Sequence, residues 1–260
     1  MDSKTTAKMN YHPPAVQRAL QLLLLVAEAP GGLGITELAN KLGLSKSTVH
    51  GLANALLQAG ALYQSPRGKK YFLGTAILDL AFRNWNYIQV CEQVQPFLDR
   101  LRDRIGESVF LGVLSKTVAI IMTKAESHNP LKISSPAGTS IPLLAGAVGK
   151  VFLAQQKDED ALRIIREQGL PRFTPKSIVD ENRYLQELAL VRQQRYALDN
   201  EEYLPGIKAV ATALGNHHGL PLAIWVVGFA GSMESRKMPD MIRDTLATAE
   251  ELRSLLDNGL

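Results

Sequence analysis

Four residues near the N-terminus recur at helical spacing and carry side chains that could contact nucleic-acid bases. Ser47, His50, Gly51 and Asn54 stand at i, i+3, i+4 and i+7, and none of them is bulky and apolar. Another side of the same segment forms an apolar stripe of Val49, Leu52, Ala53 and Leu56. A helix with these two faces could enter a DNA major groove. The pattern is as typical of an ordinary helix–turn–helix corner inside an all-α domain.

The residues before this face predict a tight turn between two short helices. The first helix includes Thr36, and the sequence Leu42-Gly43-Leu44 follows it. Ser45 then stands where a side chain would cap the start of the second helix. The segment from Thr36 to Gly60 is therefore predicted to be a helix–turn–helix.

A basic hairpin is predicted directly after this segment. Two short strand-like runs are separated by Ser65-Pro66-Arg67-Gly68, which is a strong turn signal. Arg67, Lys69 and Lys70 place three positive charges on the tip and the return strand. Such a hairpin could be a wing that contacts phosphates beside the groove, or a solvated surface hairpin. Taken together, the helix and the hairpin favour DNA binding.

The distribution of charge supports the same interpretation. The net charge of the 260 residues is +4. Residues 1–75 hold eight basic and three acidic residues, whereas the rest of the chain holds 21 basic and 22 acidic. A polyanionic partner for the first quarter explains this asymmetry better than solubility does. The candidate DNA-binding residues are Arg18, Thr36, Ser45, Lys46, Ser47, Thr48, His50, Asn54, Arg67, Lys69 and Lys70.

Composition and length bound the other possibilities. The chain is long enough for two domains, and 46% hydrophobic with 21% charged residues is typical of a globular protein. One cysteine, Cys91, excludes an internal disulfide framework and fits a reducing compartment, so we expect a cytoplasmic protein. No apolar run reaches the length of a membrane span. Residues 1–12 have the composition of a disordered tail.

The order of predicted elements gives an α+β fold class. Residues 13–74 read as a winged helix–turn–helix, whose first helix would bury Val16, Ala19, Leu20, Leu23, Leu24 and Ala27. A linker helix is predicted over 75–89, from Thr75 to about Ile88. Its apolar residues Ile77 and Leu80, with Trp85 nearby, predict packing on the second domain or self-association on a pseudo-palindromic DNA site.

Residues 90–260 are predicted to form a mostly antiparallel sheet with helices beside it. A helix from Val90 to about Arg104 would be kinked, or would start, at Pro96. Strands are predicted at Ser108–Leu114, Thr117–Thr123, Leu131–Ser134, 196–198, Ile207–Leu214 and Leu222–Phe229. Helices are predicted at Gly146–Gln155, Asp158–Gln168, Glu181–Gln194 and Met238–Leu256.

Four segments follow one another between about Val16 and Leu256: LGLSKSTVH, YFLG, PLLAGAVGKVFLA and RYALDNEEYLPGIKAVATAL. With these segments in this order and at this spacing, the chain resembles the IclR family of bacterial transcription regulators over nearly its whole length. The resemblance implies a winged-helix reader joined by a dimerising linker helix to a GAF-like effector-binding domain. It also implies homodimers, often paired into tetramers, whose affinity for an operator a small organic molecule alters. Relatives often carry arginine where this chain has Gly51, so one DNA contact is in doubt.

The start of the helix at Ala145-Gly146-Ala147-Val148 could hold a carboxylate. Free N–H groups and the helix dipole favour an anion there, and small side chains let a ligand approach the backbone. Close helix–sheet packing would use the same residues. The resemblance favours an effector site, lined by Ile133, Ile141, Gly146, Ala147, Val148, Asp199, Ala209, Val226 and Gly228.

The same resemblance suggests the kind of effector. Relatives that sense very small oxo-acids tend to have hydroxyl side chains on the last strand, where this chain has Val226 and Gly228. The expected ligand is therefore a small carboxylate with an apolar, aromatic body. Asp199 would meet a hydroxyl or an amine, or be neutralised.

Other candidate chemistry fails on spacing. Gly149-Lys150 lacks the earlier glycine and the following Ser or Thr of a phosphate loop. The acids from Asp199 to Glu202 and the pair His217-His218 predict neither a catalytic nor a metal site. No cofactor is expected. Three classes of function stay open. The first is a ligand-responsive, sequence-specific DNA-binding regulator, which we expect to be a repressor. The others are an enzyme that acts on a small carboxylate and has a DNA-binding appendage, and an architectural winged-helix protein whose second domain only oligomerises.

Overall fold

The computed structural model describes residues 13–84, 87–217, 219–234 and 236–259. The chain divides into two compact units, one ending at residue 85 and the other beginning at residue 86, within the predicted linker segment. The predicted tail over 1–12, Trp85 and His218 lie outside the described residues. In the described part of the chain, no helix is long and apolar enough to cross a membrane.

The described part of the first unit contains four helices and a small hairpin. Helix α1 spans Pro14–Ala27, α2 spans Ile35–Leu42 and α3 spans Lys46–Gln58. Strands β1 (Leu62–Gln64) and β2 (Tyr71–Leu73) pair antiparallel, and Leu33 adds an isolated bridge to Tyr71. The fourth helix, α4, follows the hairpin and spans Thr75–Asn84. This order is that of a winged helix–turn–helix.

Local sequence explains the turn between α2 and α3. Gly43 adopts a φ of 63°, a left-handed conformation that glycine adopts without strain, and it ends α2. Ser45 then caps α3, because its Oγ accepts a hydrogen bond from the Thr48 N–H at 3.2 Å. The predicted turn and cap are both present in the structure.

The buried face of α1 differs from the predicted one. Leu22 and Val26 face the core, at 0% and 3% exposure. Val16, Leu20 and Leu24, which were expected inside, are 56–58% exposed. The reason is that the run of leucines from 22 to 25 is apolar on every side, so the sequence cannot fix which side of the helix packs against α3.

The linker prediction also changes in detail. Helix α4 is described over Thr75–Asn84 and helix α5 over Tyr87–Ile105, so Ile88, predicted as the end of the linker helix, lies in the same helix as Val90. Pro96 lies inside α5 and neither starts nor ends it. Proline lacks the N–H of one helical hydrogen bond, but it is tolerated here within a helix whose Val94 and Leu98 are fully buried.

The second unit is built on one antiparallel sheet of six strands in the order β5-β4-β3-β8-β7-β6. The strands are β3 (Ser108–Ser115), β4 (Val118–Ala125), β5 (Ser140–Pro142), β6 (Ala197–Asn200), β7 (Ile207–His217) and β8 (Leu220–Phe229). The sequence predicted five of these, all but β5, with ends within three residues of those observed. The predicted strand at Leu131–Ser134 is wrong: these residues form a loop between Pro130 and Pro136, and the edge strand forms at Ser140 instead.

Helices cover both faces of this sheet. Helices α5 and α9 (Met238–Gly259) pack on one face, around Val94, Leu98 and Leu252. Helices α6 (Gly146–Ala154), α7 (Asp158–Gln168) and α8 (Glu181–Gln194) belong to the core on the other face. Gly149 is required in α6, because a Cβ there would lie 1.6 Å from the Leu143 carbonyl oxygen. The unit is therefore an α+β sandwich, as the order of elements predicted.

A β-bulge in the β7–β8 hairpin sets which residues share a face. Near the turn His217 pairs with Leu220, and in that register Ala209 would stand opposite Gly228. The register shifts between Ala213 and Gly215, where Gly215 has a φ of 101°. Ala209 therefore pairs with Val227, and each β8 side chain beyond the bulge faces the opposite side from that expected of a regular hairpin.

Candidate functional site

The candidate reading surface lies on α3 and is fully accessible. Ser47, His50, Gly51 and Asn54 are exposed, while Val49 and Ala53 on the opposite side are buried completely. The remaining candidates are exposed as well: Arg18, Thr36, Ser45, Lys46, Thr48, Arg67, Lys69 and Lys70. The first unit thus brings these residues to its surface, and its core holds α3 by the apolar stripe.

Two of the reading candidates contact each other. Asn54 Nδ2 and His50 Nδ1 are 3.2 Å apart, one turn of α3 from each other. This hydrogen bond orients both side chains. The Asn54 side-chain oxygen Oδ1 and His50 Nε2 then remain available to bond to base edges.

The wing is held by its own turn. The Ser65 N–H donates to the Lys70 carbonyl oxygen at 2.8 Å, and Ser65 Oγ donates to the Arg67 carbonyl oxygen at 2.9 Å. Lys70 Nζ donates to the Gly31 carbonyl oxygen at 3.2 Å, which draws this side chain back onto the body of the unit. Arg67 and Lys69 remain exposed at the tip.

The second unit contains a cavity of about 200 Å³ between the start of α6 and the sheet. Its lining is mostly apolar, with four hydroxyl side chains and one carboxylate. The lining residues are Phe110, Ile121, Ile133, Ser135, Thr139, Ser140, Ile141, Ala145, Ala147, Val148, Asp199, Tyr203, Leu204, Ile207, Ala209, Trp225 and Val227.

The first turn of α6 opens onto this cavity. The N-cap residue of α6 is Ala145, whose methyl side chain cannot accept a hydrogen bond from the first turn. The residues that follow, Gly146 to Val148, have small or medium-sized side chains. The N–H groups of a first helical turn have no partner within the helix, and the dipole is positive there. This end of the cavity is suited to an anion or to a hydrogen-bond acceptor.

Asp199 brings a negative charge to the same end. It is 6% exposed, and its Oδ1 accepts the Glu202 N–H at 2.6 Å. Gly146 has a φ of 57°, and a Cβ there would lie 2.2 Å from Asp199 Oδ2, so only glycine lets the carboxylate approach the helix start. Burial raises the pKa of Asp199 to about 6, against the opposing effect of the Glu202 N–H.

A buried lysine supports the turn that presents Asp199. Lys150 is 1% exposed, and its Nζ donates to the Leu198 carbonyl oxygen at 3.0 Å and to Glu202 Oε1 at 2.7 Å. Glu187 Oε2 on α8 lies 3.7 Å from the same Nζ. Lys150 therefore joins α6 to both ends of the Asp199 segment.

Most of the predicted effector residues meet at this cavity. Ile133, Ile141, Ala147, Val148, Asp199 and Ala209 line it. Gly146 does not itself line the cavity, but it lies against Asp199 between two residues that do.

Val226 and Gly228 were expected in this lining, and that expectation is wrong. Val226 is fully buried in the core on the α5–α9 face, and a Cβ on Gly228 would lie 2.5 Å from Glu107. The bulge at Gly215 turns Trp225 and Val227 toward the cavity in their place. A glycine inside an alternating strand pattern is the sequence signal for such a bulge.

The sequence also missed Phe110 and Trp225, whose rings stack at 5.7 Å between centroids. A Cβ on Gly112 would lie 2.6 Å from the Trp225 ring, so this glycine makes room for the indole. Of the other candidates, His217 hydrogen-bonds the Leu214 carbonyl oxygen. Among the described residues, no group of three or more potential metal ligands occurs.

A winged helix–turn–helix and a second unit with an enclosed, mostly apolar cavity together define a ligand-binding transcription regulator. Two family models agree: the IclR helix-turn-helix domain matches residues 15–66, and the bacterial transcriptional regulator IclR C-terminal domain matches residues 84–254. The chain belongs to the IclR family. Like its relatives, it is a transcriptional regulator rather than an enzyme.

Similar proteins extend over nearly the whole chain. HTH-type transcriptional regulator BhcR of Paracoccus denitrificans is 31% identical over 92% of this chain and 85% of its own length. Transcriptional repressor IclR of Escherichia coli is 29% identical over 84% of this chain and 80% of its own. The fold matches a putative IclR regulator from Silicibacter with a TM-score of 0.83, at 21% identity, over 93% of this chain and 96% of that one.

The raised pKa of Asp199 predicts how stability depends on pH. The folded-state pKa of about 6 exceeds the ordinary value of 3.8, so ionisation of Asp199 opposes folding. The stability that protonation provides is complete below about pH 4 and is lost as the pH rises to 6. Above that pH, Asp199→Asn should raise the free energy of unfolding by up to about 3 kcal/mol, and the gain should shrink toward pH 4.

Urea unfolding of both proteins between pH 4.5 and 8 measures this difference. Glu201→Gln is the matched control, because Lys176 lowers the pKa of Glu201 and its ionised form supports the fold. That variant should gain nothing at high pH. A less stable Asp199→Asn protein at pH 8 would contradict the prediction.

Proposed function

We propose that this protein is a repressor that binds a pseudo-palindromic operator as a homodimer and changes its affinity for DNA when a single-ring organic acid occupies the cavity. One observation supports this proposal most strongly. The first unit exposes the polar face of α3, and the second unit has a cavity in which Asp199 and small residues lie at the start of α6. Relatives named as repressors, among them IclR of Escherichia coli, support the sign of regulation. A protein that binds an operator would act in the cytoplasm, and this location is part of the proposal.

The DNA-binding proposal assigns two roles. Ser47, His50 and Asn54 read base edges from α3, while the wing residues Arg67, Lys69 and Lys70 contact phosphates. Contacts to the DNA backbone come also from Arg18 on α1, from Thr36 in the first turn of α2, and from Ser45, Lys46 and Thr48 at the start of α3. The excess positive charge of residues 1–75 supports this division.

Variants should separate the two roles. Replacing Arg67 and Lys69 by alanine should weaken binding to all duplexes and reduce the slope of log affinity against log salt by about 2. His50→Ala or Asn54→Ala should cost about 1–3 kcal/mol and alter base preference. Selection from random DNA followed by fluorescence anisotropy measures both, with the exposed Lys41→Ala on α2 as control. Recovery of no preferred duplex would overturn the proposal.

The dimer proposal comes from apolar surface on the first unit. Val16, Leu20 and Leu24 form one stripe along α1, each more than half exposed. On α4, Leu78 and Leu80 are 56% and 68% exposed. Burial of such side chains against a second copy would contribute about 1.5–3 kcal/mol for each one covered.

Charge placed on the α1 stripe should therefore prevent self-association. Leu20→Glu combined with Leu24→Glu should shift the sedimentation coefficient toward that of the monomer at micromolar concentration, while the folded core is kept by Leu22 and Val26. Gln17→Glu, on an exposed polar position of the same helix, should leave association unchanged. The same sedimentation velocity experiment distinguishes a dimer from a tetramer. A monomeric native chain would refute this part of the proposal.

The nature of the effector follows from the size and lining of the cavity. An apolar cavity of about 150 Å³ is known to hold benzene, so about 200 Å³ fits one ring with a carboxylate. Trp225, Val227 and Phe110 supply flat or apolar surface for the ring. The homolog from Microbacterium hydrocarbonoxydans, which is 17% identical with a TM-score of 0.74, was solved in complex with 4-hydroxybenzoate. Its ligand belongs to the class that we propose.

Calorimetry on the full chain tests the effector class. Benzoate and 4-hydroxybenzoate should bind more tightly than glyoxylate and pyruvate, because the small acids leave the apolar surface unfilled. Ala209→Leu should fill the cavity and weaken benzoate binding at least tenfold, whereas Ala189→Leu, exposed on α8, should not. Tighter binding of glyoxylate or pyruvate would refute the aromatic class. No ligand-induced change in operator affinity would favour the architectural alternative, in which the second unit only oligomerises.

A further inference from the structure

We propose that the cavity takes up its carboxylate ligand together with one proton, which the ligand shares with Asp199, so that ligand affinity depends on pH. The inference rests on the proposed function in one respect, that the ligand is an acid. It adds a specific role for Asp199, which sets how the site responds to the pH around it.

The geometry puts two carboxylates at one place. The part of the cavity suited to an anion is the first turn of α6, and Asp199 already lies there. Its Oδ2 fills the position that a side chain on residue 146 would occupy. A ligand carboxylate bonded to the N–H groups of Ala147 and Val148 would have Asp199 as its immediate neighbour, because all three residues line the same cavity of about 200 Å³.

No basic group in the lining balances the second charge. Among the described lining residues, Asp199 is the one that carries a formal charge, and none is lysine, arginine or histidine. The cation whose charge acts on Asp199 is Lys150, which is engaged with the Leu198 carbonyl oxygen, Glu202 and Glu187. The lysine already faces two carboxylates, so it cannot neutralise a third and a fourth.

The groups around Asp199 set the balance of charge. From α6 the charged neighbour is Lys150, and from the turn after β6 it is Glu202; Tyr203 of the same turn bonds to Asp199 through its backbone and lines the cavity. From α8, Glu187 Oε2 lies 3.7 Å from Lys150 Nζ, and the buried Tyr184 is close enough to feel the charges of Glu187 and Glu202. The facing residues of β7 and β8 are Ala209, Trp225 and Val227, which do not titrate.

Two adjacent carboxylates in such a site ionise as a pair, and the second ionisation is strongly disfavoured. In the empty cavity the pKa of Asp199 is about 6, so the group is mostly ionised at pH 7.5. An ionised ligand raises that pKa further, and the pair takes one proton from the solvent. The proton then forms a hydrogen bond between the two carboxyl groups, and the complex carries one negative charge where two would repel.

The sign of the pH effect follows. Below about pH 6 the empty site is already protonated and affinity is constant. Above pH 6 the proton must be acquired on binding, so the dissociation constant should rise about tenfold per pH unit until the pKa of the complex is reached. A neutral ligand, or an amine that donates to Asp199, would show no such rise.

The experiment is isothermal titration calorimetry of the full chain with benzoate, 4-hydroxybenzoate, glyoxylate and pyruvate. Each acid is titrated at pH 5.5 and pH 8.0. At pH 7.5, binding enthalpies in phosphate and in Tris give the number of protons taken up, because the two buffers differ in ionisation enthalpy. The native chain should take up about one proton for each acid bound at pH 7.5.

Two variants identify the group that carries the proton. Asp199→Asn should bind the same acid with no proton uptake, with equal affinity at both pH values, and more tightly than the native chain at pH 8.0. Glu201→Gln, the same chemical change two residues along and outside the cavity lining, should retain the native proton uptake. If Asp199→Asn failed to fold, Asp199→Ser, whose hydroxyl oxygen can still accept the Glu202 N–H, should likewise bind the acid without proton uptake.

The outcomes separate the inference from the proposed function. Binding of an acid without proton uptake at pH 7.5, or uptake that persists in Asp199→Asn, would overturn the shared proton and leave carboxylate sensing intact. Binding of none of the four acids at either pH would overturn both. Loss of acid binding in a folded Asp199→Asn protein would show that Asp199 accepts a hydrogen bond from the ligand, and would also overturn the inference.

Discussion

The buried ion pair between Lys150 and Glu202 is the constraint on which the second unit depends. One ammonium group, on the middle of helix α6, bonds to strand β6 at Leu198 and to the turn that follows at Glu202. The Glu202 N–H in turn holds Asp199, and Gly146 lets that carboxylate lie against the helix start. A buried charge is costly without partners, so these groups must keep their positions together. The cavity has its polar end where it does because this network is intact.

The apolar end of the cavity depends on a different feature, the bulge at Gly215. A shift of one residue in a strand exchanges its two faces, and here it exchanges the valine and glycine expected in the lining for Trp225 and Val227. Neither pair carries a hydroxyl group. The inference from the last strand toward an apolar ligand therefore survives on residues other than those that suggested it, while Ser135, Thr139 and Ser140 add hydroxyls from the loop and β5.

In the first unit, sequence reasoning succeeded where the pattern was local and failed where it was degenerate. The polar and apolar faces of α3 alternate clearly, so Val49 and Ala53 could be assigned to the core and His50 and Asn54 to the surface. The leucine run of α1 offers no such contrast. Only packing against α2 and α3 decided that Leu22 faces inward and Leu20 outward, and this exposed stripe is what motivates the dimer.

The sequence by itself determined the order of the elements, the winged helix, the α+β class and the family, because these follow from short-range patterns and from motifs along the chain. Of the nine effector-site residues that the sequence predicted, six line one cavity. The tertiary structure alone decided the register of β8, the edge strand at Ser140 and the coupling of Asp199 to Lys150. Each of these depends on contacts between residues far apart in sequence or on a single bulge. A bulge reverses the facing of a whole strand segment, and hydrophobic periodicity does not record it.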